Sequence, residues 1–213
     1  DVGRPLTNRW TWFIDRRPDL REISSRWRTA NARSIHLFSL LERPRLERLL
    51  ATVLDENEFL GPFGLRSLSL RHRDQPFQLE VNGHTYRVDY APGESDSGLF
   101  GGNSNWRGPV WMPVNFLLIE SLRKYHTYYG DDLTAEFPTG SGRRLNLAQI
   151  ADELTKRLTS LFLPGPDGTR LCDGGRDGDP LLFHEYFHAE TGRGLGASHQ
   201  TGWTACIADL LQR

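Results

Sequence analysis

The sequence predicts an all-α fold arranged as a barrel of helices. Three observations carry this: apolar residues recur with helical spacing in several runs, glycine-rich and proline-rich connections separate those runs, and two polar-aromatic stretches each stand directly before a helix. When inner helices begin at one rim, the loops gathered there line a shared cavity, and residues remote in sequence converge on it.

Residues 18–27 read as a short helix with Pro18 near its start, and residues 44–54 as a stronger one with apolar side chains at 46, 49, 50, 53 and 54. Residues 57–69 hold too much glycine and proline to continue that helix and are expected to form a loop with buried aromatics. Around Asn82-Gly83 in residues 77–90, polar and apolar positions alternate, so a β-hairpin with a primed turn is expected as an excursion from the helical body. Residues 110–129 read as a long, deeply buried helix with Pro113 in its first turn and Gly130 as its stop. Apolar positions at 147, 150, 151, 154, 158, 161 and 162 sustain a 3.6-residue period through residues 145–163, and Pro164 ends it. After a glycine-rich loop at 165–178, a closing helix is expected at 201–211 with Trp203, Ile207, Leu210 and Leu211 inward. No repeat of fixed period is evident.

At 213 residues and 38% hydrophobic content the chain fits one ordinary domain, or part of a larger one. Its 26 basic and 27 acidic residues are spread along the length, so no electrostatic footprint marks nucleic acid or an anionic membrane as a partner. No run is long and apolar enough for a transmembrane helix, and the start at Asp1 resembles neither a signal peptide nor an initiating methionine, which suggests an excised piece. Cys172 and Cys206 make no disulfide framework; free thiols in a reducing, cytoplasmic compartment are expected, with a single bridge as the alternative.

The chemistry concentrates in two stretches. Residues 182–204 set Glu185, His184, His188, His199 and Gln200 among glycines at 192, 194, 196 and 202, which let backbone approach a ligand and break a regular helix. Residues 101–115 combine Trp106 and Trp111 with Asn103, Asn105, Arg107 and Asn115. Flat aromatic faces beside fixed hydrogen-bonding groups suit a polyhydroxylated substrate. Each feature also has a plainer reading: core packing for either tryptophan, a loop-pinning ion pair for Arg107, a surface salt bridge for Glu185. His184-Glu185-Tyr186-Phe187-His188 also matches H-E-x-x-H, in which two histidines one helical turn apart bind zinc and the glutamate is the base. That reading needs a helix through 184–188 and a third ligand; Thr191, Arg193 and Gly194 depart from the extended pattern, although His199 remains available from a loop.

Trp106-Arg107-Gly108-Pro109-Val110-Trp111 followed by Asn115, together with Glu185-Tyr186, Thr191-Gly192-x-Gly194 and Gln200-Thr201-Gly202-Trp203-Thr204, resembles the C-terminal signatures of glycoside hydrolase family 63. The resemblance covers residues 44–213, including the run from Pro62 to Ser67. It implies an (α/α)6 toroid, here its C-terminal half, and inverting hydrolysis of α-glucosides or related α-linked sugars without metal or other cofactor. On this match Glu185 corresponds to the general base, while Trp106, Arg107, Trp111 and Gln200 fall on substrate-binding positions. His199 and Gln200 are expected to hold the Glu185 carboxylate, and Asn115 to take a sugar hydroxyl. The general acid of the family lies before the residue that would align with Asp1, so the expected partners are a glycoside or oligosaccharide and the N-terminal part of the same enzyme. Asp96, just ahead of the tryptophan motif, is the internal candidate for the acid; its plainer role is to order its own loop. A carbohydrate-binding piece without catalysis and a zinc peptidase are the alternative functions.

Overall fold

A computed structural model describes residues 3–21, 28–30, 33–35, 37, 39, 41–98, 104–174 and 180–212. In chain order the elements are α1 (Gly3–Asp15), α2 (Pro18–Arg21), a hairpin of β1 (Arg28–Ala30) and β2 (Arg33–Ile35), α3 (Arg43–Val53), a short hairpin of β3 (Leu60–Gly61) and β4 (Gly64–Leu65), and a longer one of β5 (Phe77–Val81) and β6 (His84–Val88). There follow α4 (Met112–Tyr129), β7 (Thr134–Glu136) paired with β8 (Arg144–Asn146), α5 (Leu147–Thr159), β9 (Tyr186–Phe187) paired with β10 (Gly194–Leu195), α6 (Thr201–Thr204) and α7 (Ile207–Leu211).

The expectation of an all-α chain with one hairpin is corrected here, because the described residues contain five antiparallel two-stranded ladders. The β7 and β8 strands are three residues each, too short for an alternating pattern to announce them. The 57–69 connection also pairs with itself: Leu60 faces Leu65 and Gly61 faces Gly64, with Phe59 and Phe63 half-buried against the core. In the longer hairpin, Val81 faces His84 across Asn82-Gly83, and both turn residues have positive φ, 51° and 77°. That is the primed geometry the Asn-Gly pair favours.

Helices nonetheless carry the core. The α5 helix begins in a capping box: the Asn146 side chain accepts from the Gln149 N–H, and the Gln149 side chain accepts from the Asn146 N–H, each at 2.9 Å. Its apolar stripe, Leu147, Ile150, Ala151, Leu154 and Leu158, is buried throughout and packs mainly on α4. Full burial of such a leucine or isoleucine contributes about 1.5–3 kcal/mol, so this stripe anchors the arrangement. Leu46, Leu50 and Leu54 from α3 join the same cluster, as do Ile207 and Leu210 from α7.

Two helical expectations change. The α4 helix is not buried all round: Ile119 and Leu122 point inward, but Val114, Leu117 and Leu118 are exposed. The closing helix is interrupted at Ala205 and Cys206. Trp203 and Leu211, expected inward, are exposed; Trp203 instead meets the edge of Trp111 at 6.0 Å between ring centroids. In the 18–27 run the helix is α2, ending at Arg21; residues 22–27 lie outside the described residues. Cys172 and Cys206 are both free thiols, and burial pushes Cys172 up to about 12, aided by Asp173.

Candidate active site

The two polar-aromatic stretches are joined by backbone. Val110 and Phe187 exchange both hydrogen bonds, N–H to carbonyl at 2.9 Å in each direction, and Val110 also bridges to Arg66 of the short hairpin. The residue after Trp106-Arg107-Gly108-Pro109 is therefore in register two positions beyond Glu185. Side chains reinforce the join. Trp106 stacks on Trp111 at 3.7 Å and 7°, and the other face of Trp111 meets Tyr186 at 4.9 Å.

Glu185 is half-buried at this junction. The Ser104 hydroxyl donates to its Oε1 at 2.6 Å, and the Ala197 N–H donates to Oε2 at 3.3 Å. The backbone N–H of Glu185 donates in turn to the Ala197 carbonyl at 2.8 Å. Gly196 makes that approach possible: its φ is +67°, and a Cβ there would stand 2.7 Å from Glu185 Oε2. The donors expected from the sequence, His199 and Gln200, are replaced by Ser104 and a main-chain N–H; His199 and Gln200 lie exposed at the rim. Ser104 stands inside the stretch the sequence marks as functional, but one hydroxyl among Asn, Trp and Arg carries no signal of its own.

Four further expectations are corrected. Trp111 is 2% exposed and its indole N–H donates to the Asn105 carbonyl at 2.9 Å, so it is the floor beneath Trp106 and offers no face to a sugar. Arg107, also buried, spends its guanidinium on two carboxylates, Asp89 at 2.8 Å and Asp96. Both terminal nitrogens are thus engaged in pinning the loop. Asn115 is buried with its amide committed to backbone: Oδ1 accepts from Leu65 N–H at 2.7 Å, and Nδ2 donates to the Leu65 and Trp111 carbonyls at 3.0 Å. Gly64 leaves room for that amide, since a Cβ at its φ of +134° would come within 2.9 Å of Asn115 Oδ1. Asp96, the internal acid candidate, is held below the usual carboxylate range by its hydrogen bond from Arg107. A general acid must keep its proton near neutral pH, and an ion pair with a guanidinium opposes that.

The H-E-x-x-H segment is extended. Residues 186 and 187 form β9, and His188 continues the pairing through its N–H to the Arg193 carbonyl at 2.9 Å. Along an extended chain two residues four apart are separated by about 13 Å, against about 6 Å for one helical turn, so the spacing loses its meaning for a metal. His188 Nδ1 lies 3.2 Å and 3.3 Å from the N–H groups of Glu190 and Thr191, which donate to it. Among the described residues no group of three or more His, Cys, Asp or Glu is arranged to hold a metal ion. A cavity of about 420 Å³ lies alongside, lined by His188, Thr191, Arg193 and the 169–174 segment, and Glu185 is not part of its wall.

The surroundings set the ionisation of the neighbours. Burial pushes the Tyr186 phenol up to about 12, with the charges of Glu94 and Glu185 adding to the shift, so Tyr186 stays protonated at neutral pH. Burial lowers His184, with the charge of His199 acting in the same direction and Asp173 opposing; burial likewise lowers His188, with Arg193 assisting and Glu190 opposing. Both imidazoles thus bind protons less readily folded than unfolded. The stability they support is present above the ordinary value of 6.5 and is lost as pH falls toward the depressed folded values. The melting temperature is expected to be lower at about pH 5.5 than at about pH 7.5, and a calorimetric pH series checks it.

A family model described as the mannosylglycerate hydrolase MGH1-like glycoside hydrolase domain matches residues 10–204. The chain is 48% identical over 217 residues to an uncharacterised protein of Saccharomyces cerevisiae, covering 96% of this chain and 20% of that protein. It is 26% identical over 171 residues to the mannosyl-oligosaccharide glucosidase of the same yeast, covering 80% of this chain and 15% of the relative. A probable mannosyl-oligosaccharide glucosidase of Schizosaccharomyces pombe is 27% identical over 168 residues, covering 78% and 15%. The chain therefore spans at most 20% of the length of these relatives.

Proposed function

Because the chain belongs to the MGH1-like glycoside hydrolase family, we propose that it is the base-bearing part of an inverting glycosidase acting on α-glucosides or related α-linked sugars. The observation that carries this reading is the meeting of Glu185 with the tryptophan loop: a carboxylate held by Ser104 beside the Trp106–Trp111 stack. Glu185 takes a proton from water, and the oxygen so freed attacks the anomeric carbon from the face opposite the departing group. A second carboxyl group protonates the leaving oxygen. Inverting pairs stand roughly 6.5–9.5 Å apart because the water lies between them. Trp106, half-buried over Trp111, is the face for the apolar side of a pyranose, with Trp203 at the edge of Trp111. The names of two yeast relatives, mannosyl-oligosaccharide glucosidases, support a glucosidic bond as the target.

Asp96 is tied to Arg107, so we assign the acid to a segment outside residues 1–213, within an (α/α)6 toroid of which this chain supplies the C-terminal half. Exposed Leu49, Val114, Leu117 and Leu118 support packing against such a segment, as does an apolar cleft of about 190 Å³ between α3 and α4. The two unpaired thiols support a cytoplasmic, reducing location.

Incubation of the intact enzyme that also carries the acid with α-glucosides, kojibiose-type disaccharides and mannosylglycerate, followed by NMR of the first-formed anomer, tests the reading. Release of the inverted anomer is expected; release of the retained anomer rejects the mechanism. Hydrolysis is also expected to continue undiminished in EDTA. Loss on chelation and recovery with zinc would return His184 and His188 to a metal-binding role. The commitment of Asp96 to Arg107 favours one second reading for the isolated chain, sugar binding without turnover, which calorimetric binding in the absence of released sugar would reveal.

A further inference from the structure

We propose that Ser104 is a positioning residue for the base, its hydroxyl fixing Oε1 of Glu185 so that the carboxylate meets the attacking water in one orientation. The proposal rests on the reading of Glu185 as that base. The carboxylate has one donor on each oxygen, and the two differ in origin. The Ala197 N–H belongs to the same loop as Glu185 and is already bound into it through the reciprocal bond from the Glu185 N–H. Ser104 comes from the tryptophan loop and is therefore the link that ties the orientation of the carboxylate to the position of the sugar platform.

The backbone that presents Ser104 is fixed immediately beside it. Asn105 is buried; its Nδ2 donates to the Ala91 and Gly93 carbonyls at 2.9 Å and 2.8 Å, and its Oδ1 accepts from the Arg107 N–H at 3.0 Å. Its carbonyl accepts the Trp111 indole N–H. A hydroxyl carried on such a frame has little freedom except rotation of its own χ1. The 2.6 Å separation falls in the range of about 2.5–2.7 Å typical of a hydroxyl donating to an ionised carboxylate. A donor of this kind holds the oxygen it meets in one direction, which leaves the rest of the carboxylate facing the water in one orientation. Trp106, two residues on, stands over Trp111, so one short loop both receives the sugar and aims the base.

The test compares Ser104→Ala, Ser104→Thr and Glu185→Gln in the intact enzyme that also carries the acid, on a glycoside that the unmodified enzyme hydrolyses. Ser104→Ala is expected to lower kcat about tenfold with KM within about twofold of the unmodified value. Ser104→Thr, which keeps the hydroxyl, should restore kcat to within about twofold of the unmodified value. Should the alanine variant melt early, Ser104→Cys, nearly isosteric but a weak donor, carries the same comparison. An unchanged kcat in Ser104→Ala or Ser104→Cys, or a loss that Ser104→Thr fails to restore, with Glu185→Gln inactive, overturns the role of the serine and leaves the base in place. Full turnover by Glu185→Gln overturns the base itself and the role of the serine with it.

Discussion

Replacement of Glu185 by glutamine is expected to lower turnover by about 10²–10⁴-fold while leaving glycoside affinity close to its original value. The amide is nearly isosteric with the carboxylate: its oxygen can accept from the Ala197 N–H while its NH2 donates to the rotated Ser104 hydroxyl, so the loop that carries it should stay in place. What it loses is the capacity to take a proton from water. The prediction separates chemistry from binding because the sugar platform, Trp106 over Trp111, is held by ring stacking. Steady-state kinetics together with calorimetric titration of the same glycoside distinguishes the two quantities. Unchanged kcat in this variant would remove Glu185 from the reaction, and a matching loss of affinity and turnover would make it a binding group.

Much of this site is legible in the sequence because its residue types have few other uses. Glycines at 192, 194 and 196 beside histidines and a glutamate suit neither a helix nor a core strand, and the structure gives Gly192 and Gly196 positive φ. The 3.6-residue stripe of α5 is equally readable, since every apolar position named in it is buried. Partnership is not readable. Arg107, Asn115 and Trp111 all belong to the motif, yet each is engaged by a group that only the fold supplies: Asp89 and Asp96, the Leu65 backbone, and the ring of Tyr186. A guanidinium that binds a hydroxyl and one that pins a loop have the same letter in the sequence. The same limit applies to H-E-x-x-H, whose meaning depends on whether the chain is helical or extended at His184; its pairing with residues 193–197 decides that. The α1 helix is not legible in the sequence because Trp10, Trp12, Phe13 and Ile14 cluster without a sustained period, and Leu6 and Trp12 remain exposed.

Trp111→Ala and Trp106→Ala are expected to fail in different ways, although the two rings touch and belong to one motif. Trp111 is 2% exposed, lies between Trp106 and Tyr186, and supplies the indole N–H that holds the Asn105 carbonyl. Its truncation opens a cavity and orphans a buried acceptor, and a cost of about 3–5 kcal/mol is expected for a buried tryptophan. Since a domain of ordinary stability has about 5–15 kcal/mol in total, the variant should unfold at a much lower denaturant concentration, with the m-value little changed. Trp106 is half-buried and its loss removes one side of a stack, an effect of about 1 kcal/mol on stability. Its larger effect should be on substrate: an apolar face that meets ground state and transition state alike contributes uniform binding, so KM should rise while kcat holds. Chemical denaturation of both variants, with KM and kcat measured below the unfolding transition, resolves the two. If Trp106→Ala leaves KM untouched, the platform is structural and the sugar lies elsewhere. If Trp111→Ala keeps its stability, the floor of the site is not the stacked indole but the backbone ladder between Val110 and Phe187, and the motif owes its form to that ladder.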